Sequence, residues 1–134
     1  AAGINRPDVL QRRGLYAPPP GASDLPGLEA AGTVYDVGAG VPPALIGQRL
    51  TALCPGGGYA AYVAVPWQHA LPWPENHSAI QAAALPETFF TVYGNMVARG
   101  RLSAGDTVLI HGGSSGIGTI PVDNTRPSAG AMTR

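Results

Sequence analysis

Glycine and proline punctuate this chain from end to end: 19 glycines and 14 prolines among 134 residues. Each interrupts regular structure for its own reason. Proline lacks the N–H that a ladder or helix interior needs, and glycine lets the backbone enter turns closed to other residues. Spread through the sequence, they suit short strands joined by tight turns better than a helical bundle. "GLEAAGTVYDVGAGV" reads as a strand interrupted by glycines, and "IGQRLTALCPGGG" as a second, with Leu50, Ala52 and Cys54 on one face. "GYAAYVAVP" is the clearest strand, alternating Tyr59, Ala61, Val63 and Val65 with Ala60, Tyr62 and Ala64. Residues 1–26, including "YAPPPGASDLPG", carry little regular signal.

The pattern then turns helical. In "HSAIQAAALP", Ser78 and Gln81 form a Ser-x-x-Gln capping box, with Pro86 expected to end the helix. Phe89, Val92, Tyr93, Met96 and Val97 make one apolar helical stripe, closed by Gly100, which sends Tyr93 and Met96 to a core. "LSAGDTVLIH" gives a turn and a short apolar strand of the kind buried in a parallel sheet. Gly112, Gly113, Gly116 and Gly118 follow it. A glycine loop between strand and helix gathers backbone N–H groups and a helix dipole where a phosphate can sit, although the same glycines also serve a plain turn. Pro121 should stop the helix, and "DNTRPSAG" has no apolar stripe, so residues 121–134 read as an irregular tail.

Bulk properties narrow the partners. The chain has room for one ordinary domain plus part of another. Hydrophobic residues are 45%, enough for a core, and the formal net charge is zero, so nothing favours nucleic acid or an acidic membrane surface. No run reaches membrane-span length, and the N-terminus lacks a signal-peptide layout. The single cysteine, Cys54, leaves no internal disulfide or multi-cysteine metal site and fits a reducing, cytoplasmic setting.

Four segments in order, "AAGINRPDVLQRRGLYAPPPGASDLPGLEAAGTVYDVG", "PGGGYAAYVAVP", "AAALPETFFTVY" and "GDTVLIHGGSSGIG", resemble the zinc-independent quinone oxidoreductase branch of the medium-chain dehydrogenase/reductase superfamily. The similarity runs from residue 1 to about residue 120 and implies a mixed β and α/β fold. Residues 1–86 would form a GroES-like β-barrel domain lacking its first strands. Residues 87–120 would supply a connecting helix, then the first strand and glycine loop of a Rossmann domain. The chain is thus expected to be part of a longer enzyme. The implied cofactor is NADPH, with NADH open, and the implied substrates are quinones or related α,β-unsaturated carbonyls reduced by hydride transfer. A homodimer is open for the longer parent. Two alternatives stand beside this: a non-enzymatic GroES-like binding module, or an enoyl reductase component of a larger synthase. "GGSSGIG" is also similar to the short-chain dehydrogenase loop, but that family places it near the N-terminus and adds a Tyr-x-x-x-Lys pair missing here.

Zinc-dependent relatives hold their metal where this sequence has Asn5 and Leu28; an isobutyl group cannot bind metal, so no metal site is expected. "NRPD" alone reads as a capped turn, while the resemblance implies that Asn5, Arg6 and Asp8 meet the cofactor, with Asn5 also catalytic. Tyr16 reads either as a lid on the proline loop or, by resemblance, as a catalytic phenol against the substrate. Thr91 reads as a helix threonine bonding its own backbone or as a nicotinamide contact. Gly112, Ser115, Gly116, Ile117 and Gly118 are the implied phosphate contacts. Glu29 and Glu87 show no partner carboxylate in sequence, so acid–base work is not expected of them.

Overall fold

A computed structural model describes residues 1–124, with side chains through Ile120; residues 125–134 of the expected tail lie outside the described residues. The chain divides into two compact units, Ala1–Glu87 and a second beginning at Thr88. The first opens with α1, Arg6–Arg12, in a segment whose pattern carries no regular signal. Its start is nonetheless chemically marked. Asn5 is the N-cap, Pro7 falls in the first turn where its missing N–H costs nothing, and Asp8 Oδ2 accepts from the Asn5 N–H at 2.8 Å.

Three short strands follow, β1 (Glu29–Thr33), β2 (Arg49–Leu53) and β3 (Ala70–Pro72), in an antiparallel sheet of order β1-β2-β3. Ala31 pairs with Thr51, and Thr51 in turn with Leu71. Ala2 bridges to Ala30 on the outer side of β1. Helix α2 (Ala79–Ala83) carries the expected Ser78–Gln81 capping box and lies against β1 and β2. The core there is small: Ala31, Ala82 and Ala83, with Trp73 packed beside them and Arg49 stacked on the Trp73 ring at 5.0 Å. Thr51 Oγ1 ties sheet to helix by donating to the Ala82 carbonyl at 2.6 Å. Thr51 and its neighbour Ala52 are both buried, so β2 is covered on both faces.

"GYAAYVAVP" forms no strand. The sheet offers it no edge: the chain start occupies β1, and β3 is three residues long and ends in Pro72, which has no N–H to share. Residues 59–65 instead lie over the sheet face carrying Leu50 and Ala52 and bound an apolar cavity of about 760 Å³. Tyr62 meets Tyr35 across it with ring centroids 5.3 Å apart.

The helical region is also rearranged. Helix α2 ends before Pro86, which opens α3 (Pro86–Val92). The helix then widens into a π-helical segment, Tyr93–Arg99, capped at Gly100, whose N–H reaches back to the Asn95 carbonyl at 2.8 Å. Widening breaks the 3.6-residue period beyond Val92. Tyr93, expected in a core, is exposed, and Met96 is only half-buried. "TVLI" makes no ladder, because a parallel strand needs a neighbouring strand and the second unit has none among the described residues. Helix α4 runs Gly116–Asn124, so Pro121 does not stop it at residue 120. Its ring removes a single donor, the one that would have reached the Ile117 carbonyl, and the chain runs on in helical geometry.

Candidate functional site

Two groups of side chains stand out, one in each unit. In the second unit, a cleft of about 300 Å³ is bounded by α3 and its π-helical continuation on one side and by the "VLIH" segment and glycine loop on the other. It brings Thr91 together with Ser115, Ile117 and Gly118, with His111, Asn95 and Met96 beside them. Ser115 caps α4: its Oγ accepts from the Gly118 N–H at 3.0 Å, and its carbonyl accepts from the Thr119 N–H at 3.0 Å. The hydroxyl proton of Ser115 remains a donor. The N–H groups of Gly116 and Ile117 have no partner among the described residues, leaving three donors at one helix start.

The glycines there have distinct reasons. Gly112 adopts φ +68°, the left-handed region that turns the chain after Ile110. A Cβ on Gly118 would overlap the Gly112 carbonyl and stand 2.8 Å from Gly113 Cα, so only glycine lets loop and helix close this tightly. The Thr91 hydroxyl has no hydrogen-bond partner among the described residues; it is the Thr91 carbonyl that accepts, from Asn95 Nδ2 at 2.7 Å. The self-bonded alternative for this threonine is therefore not what the structure adopts.

In the first unit, a buried carboxylate network surrounds the start of α1. Asp8 is 4% exposed, and both of its oxygens are taken: Oδ1 by the Gly27 N–H at 2.8 Å, Oδ2 by the Asn5 N–H and by the Tyr59 hydroxyl at 3.1 Å. Glu29 is 2% exposed; its Oε1 accepts from Asn5 Nδ2 at 2.8 Å and its Oε2 from the Glu87 N–H at 2.9 Å. Burial, followed by the charges of Glu29 and Asp8, raises the Glu87 carboxyl above its usual range. The Tyr59 phenol is pushed up to about 12 by desolvation of its hydroxyl end, then by its bond to Asp8 and the nearby charges, although the ring itself is exposed. The buried Cys54 thiol is pushed up to about 11 by burial and then by Glu29.

This network corrects one expectation: Glu29 and Glu87 are neighbours, although nothing in their spacing says so. Asp8, through its bonds to the Asn5 and Gly27 N–H groups, holds the backbone around Asn5. Of the remaining predicted residues, Asn5 is half-buried in the network, while Arg6 and Tyr16 are exposed and stand outside it. Tyr59 is legible in the sequence only as a strand residue. Among the described residues, no helix is long and apolar enough to cross a membrane.

The alcohol dehydrogenase GroES-like domain matches residues 1–75. The human synaptic vesicle membrane protein VAT-1 homolog is 35% identical over 126 residues, which cover 94% of this chain and 32% of that protein. The quinone oxidoreductase of Thermus thermophilus, solved also with NADPH, superposes with a TM-score of 0.65 at 34% identity, covering 92% of this chain and 37% of that one. CurK enoyl reductase superposes with a TM-score of 0.78 at 27% identity, covering 92% of this chain and 40% of that one. The chain thus spans about a third of the length of the curated relative it matches. With more than half of its residues inside the domain match and these oxidoreductases as neighbours, the chain belongs to the alcohol dehydrogenase GroES-like family, within the medium-chain dehydrogenase/reductase superfamily and alongside its quinone oxidoreductase-like members.

Proposed function

We propose that this chain is part of a zinc-independent reductase that uses NADPH to reduce a quinone or a related α,β-unsaturated carbonyl. The observation that carries the reading is the cleft that joins Thr91 to the Ser115–Gly118 helix start. Three donors converge there beside a glycine with no room for a Cβ, which suits the close approach of a pyrophosphate. NADPH, when bound, supplies the hydride. The residues of this chain would hold and orient it: the Ser115 hydroxyl and the Gly116 and Ile117 N–H groups at the phosphates, and the Thr91 hydroxyl at the carboxamide of the nicotinamide.

Leu28 stands where zinc-dependent relatives place a ligand, an isobutyl group cannot bind metal, and no three His, Cys, Asp or Glu side chains among the described residues gather into a group that could hold a metal ion. Charge developing on the substrate oxygen must then be met by hydrogen-bond donors. Tyr16 and Asn5 are assigned that work, and Asn5 is assigned to the cofactor as well, together with Arg6, an exposed cation beside it in sequence. The likeness to CurK favours an enoyl thioester as the second choice of substrate. The test joins this chain to the remaining two thirds of the Thermus relative and follows loss of reduced-nicotinamide absorbance with benzoquinone or with a crotonyl thioester. Faster turnover of the quinone supports the reading, faster turnover of the thioester supports an enoyl reductase, and no turnover of either refutes both.

A further inference from the structure

We infer that Glu29 is the positioning residue for Asn5, fixing the Asn5 amide so that it offers an N–H donor, and thereby selecting a ligand oxygen that accepts. The inference rests on the reading of Asn5 as a ligand-facing residue. Glu29 stands at the first position of β1, and both of its oxygens are held, by Asn5 Nδ2 and by the Glu87 N–H, which fixes the plane of the carboxylate. Gly3 backs it: a Cβ at position 3 would overlap the Glu29 carboxyl group. Both Glu29 oxygens accept hydrogen bonds, and Oε1 takes the one from Asn5 Nδ2, so the Asn5 amide turns its nitrogen toward Glu29. Its oxygen belongs to the capping side, toward the first turn of α1.

The backbone of Asn5 is fixed as well, because its N–H donates to Asp8 Oδ2 at 2.8 Å and Asp8 is itself held by Gly27 and Tyr59. What Asn5 has left is the second N–H of a half-buried amide. That group recognises a carbonyl or carboxamide oxygen and discriminates against a ligand that presents only donors. Glu29 touches no ligand in this scheme; it acts through Asn5.

The decisive readout is the Asn5 side-chain amide by NMR. In the unmutated chain, a correlation across the hydrogen bond should join the Asn5 side-chain nitrogen to the Glu29 carboxyl carbon, and its absence would overturn the inference whatever the variants do. In Glu29→Gln, one of the two donors must face an NH₂ group, so the Asn5 amide protons should shift and NADPH binding should weaken roughly three- to tenfold, the effect of one lost hydrogen bond. Asn5→Ala separates the two claims. If Asn5→Ala weakens NADPH binding and Glu29→Gln alters neither the Asn5 amide nor the affinity, the role of Glu29 is refuted while that of Asn5 stands. If Asn5→Ala leaves NADPH binding unchanged, the ligand role of Asn5 falls, and this use of Glu29 falls with it.

Discussion

Asp8→Asn is the substitution that presses hardest on the buried network, because it changes one atom and almost no volume. The carboxylate serves three donors, the N–H groups of Asn5 and Gly27 and the Tyr59 hydroxyl. An amide keeps one accepting oxygen. If that oxygen stays with Asn5 and Tyr59, the new NH₂ faces the Gly27 N–H, donor against donor, in a site with almost no water. A hydrogen bond to a charged acceptor contributes about 1.5–3 kcal/mol, and an unsatisfied buried donor costs about 1–3 kcal/mol. A net loss on the order of 3 kcal/mol follows, a large share of the stability of a small domain. With a urea dependence of about 1.5 kcal/mol per molar, the midpoint should fall by about 2 M. Trp67 and Trp73 both lie in the Ala1–Glu87 unit, so their fluorescence reports its unfolding. A midpoint drop below about 0.5 M would show that Asp8 is not the hub described here.

Other perturbations follow from the same geometry. Gly27 has φ +110°, and an added Cβ would lie 2.6 Å from Gly58 Cα, so Gly27→Ala should cost more than about 2 kcal/mol in a urea titration; a near-neutral effect would contradict the close approach. Because the Glu87 carboxyl is raised in the folded chain, the folded state favours its protonated form, and that contribution is lost as pH climbs from the ordinary carboxylate range through the raised value. Glu87→Gln should therefore be the more stable protein at neutral pH and equal to the wild type in acid; parallel stability curves would remove the effect. Cys54 is buried, with its thiol pushed up to about 11, so a thiol reagent should react at the rate of unfolding; fast reaction in the native state would refute its burial.

The parts of the fold set by local chemistry can be read in advance. The Ser78–Gln81 box starts α2, the glycine-flanked segments around Ala31 and Thr51 pair as β1 and β2, and the glycine loop ends in a helix. Apolar alternation in "GYAAYVAVP" and "TVLI" reports a capacity for burial, and it says nothing about whether a strand edge is free to pair. Helix α1 is hidden for a different reason. Asn5, Pro7 and Asp8 spell a helix start, but no apolar stripe follows them to mark a helix. The glycine loop announces itself by composition, whereas Glu29 meets Asn5 and Glu87 from 24 and 58 residues away, which no local pattern encodes.

If Thr91 and the loop from Gly112 to Gly118 form the nicotinamide-nucleotide site, NADPH must perturb them first. The most direct measurement is the set of backbone amide shifts that NADPH induces at millimolar concentration, in this chain and in Gly118→Ala. Shifts should concentrate at Thr91 and from His111 to Gly118, and be largest at the free Gly116 and Ile117 N–H groups. They should disappear in Gly118→Ala, where the new Cβ would overlap the Gly112 carbonyl. Shifts that spare Thr91 and this loop, or that survive Gly118→Ala unchanged, would contradict this assignment.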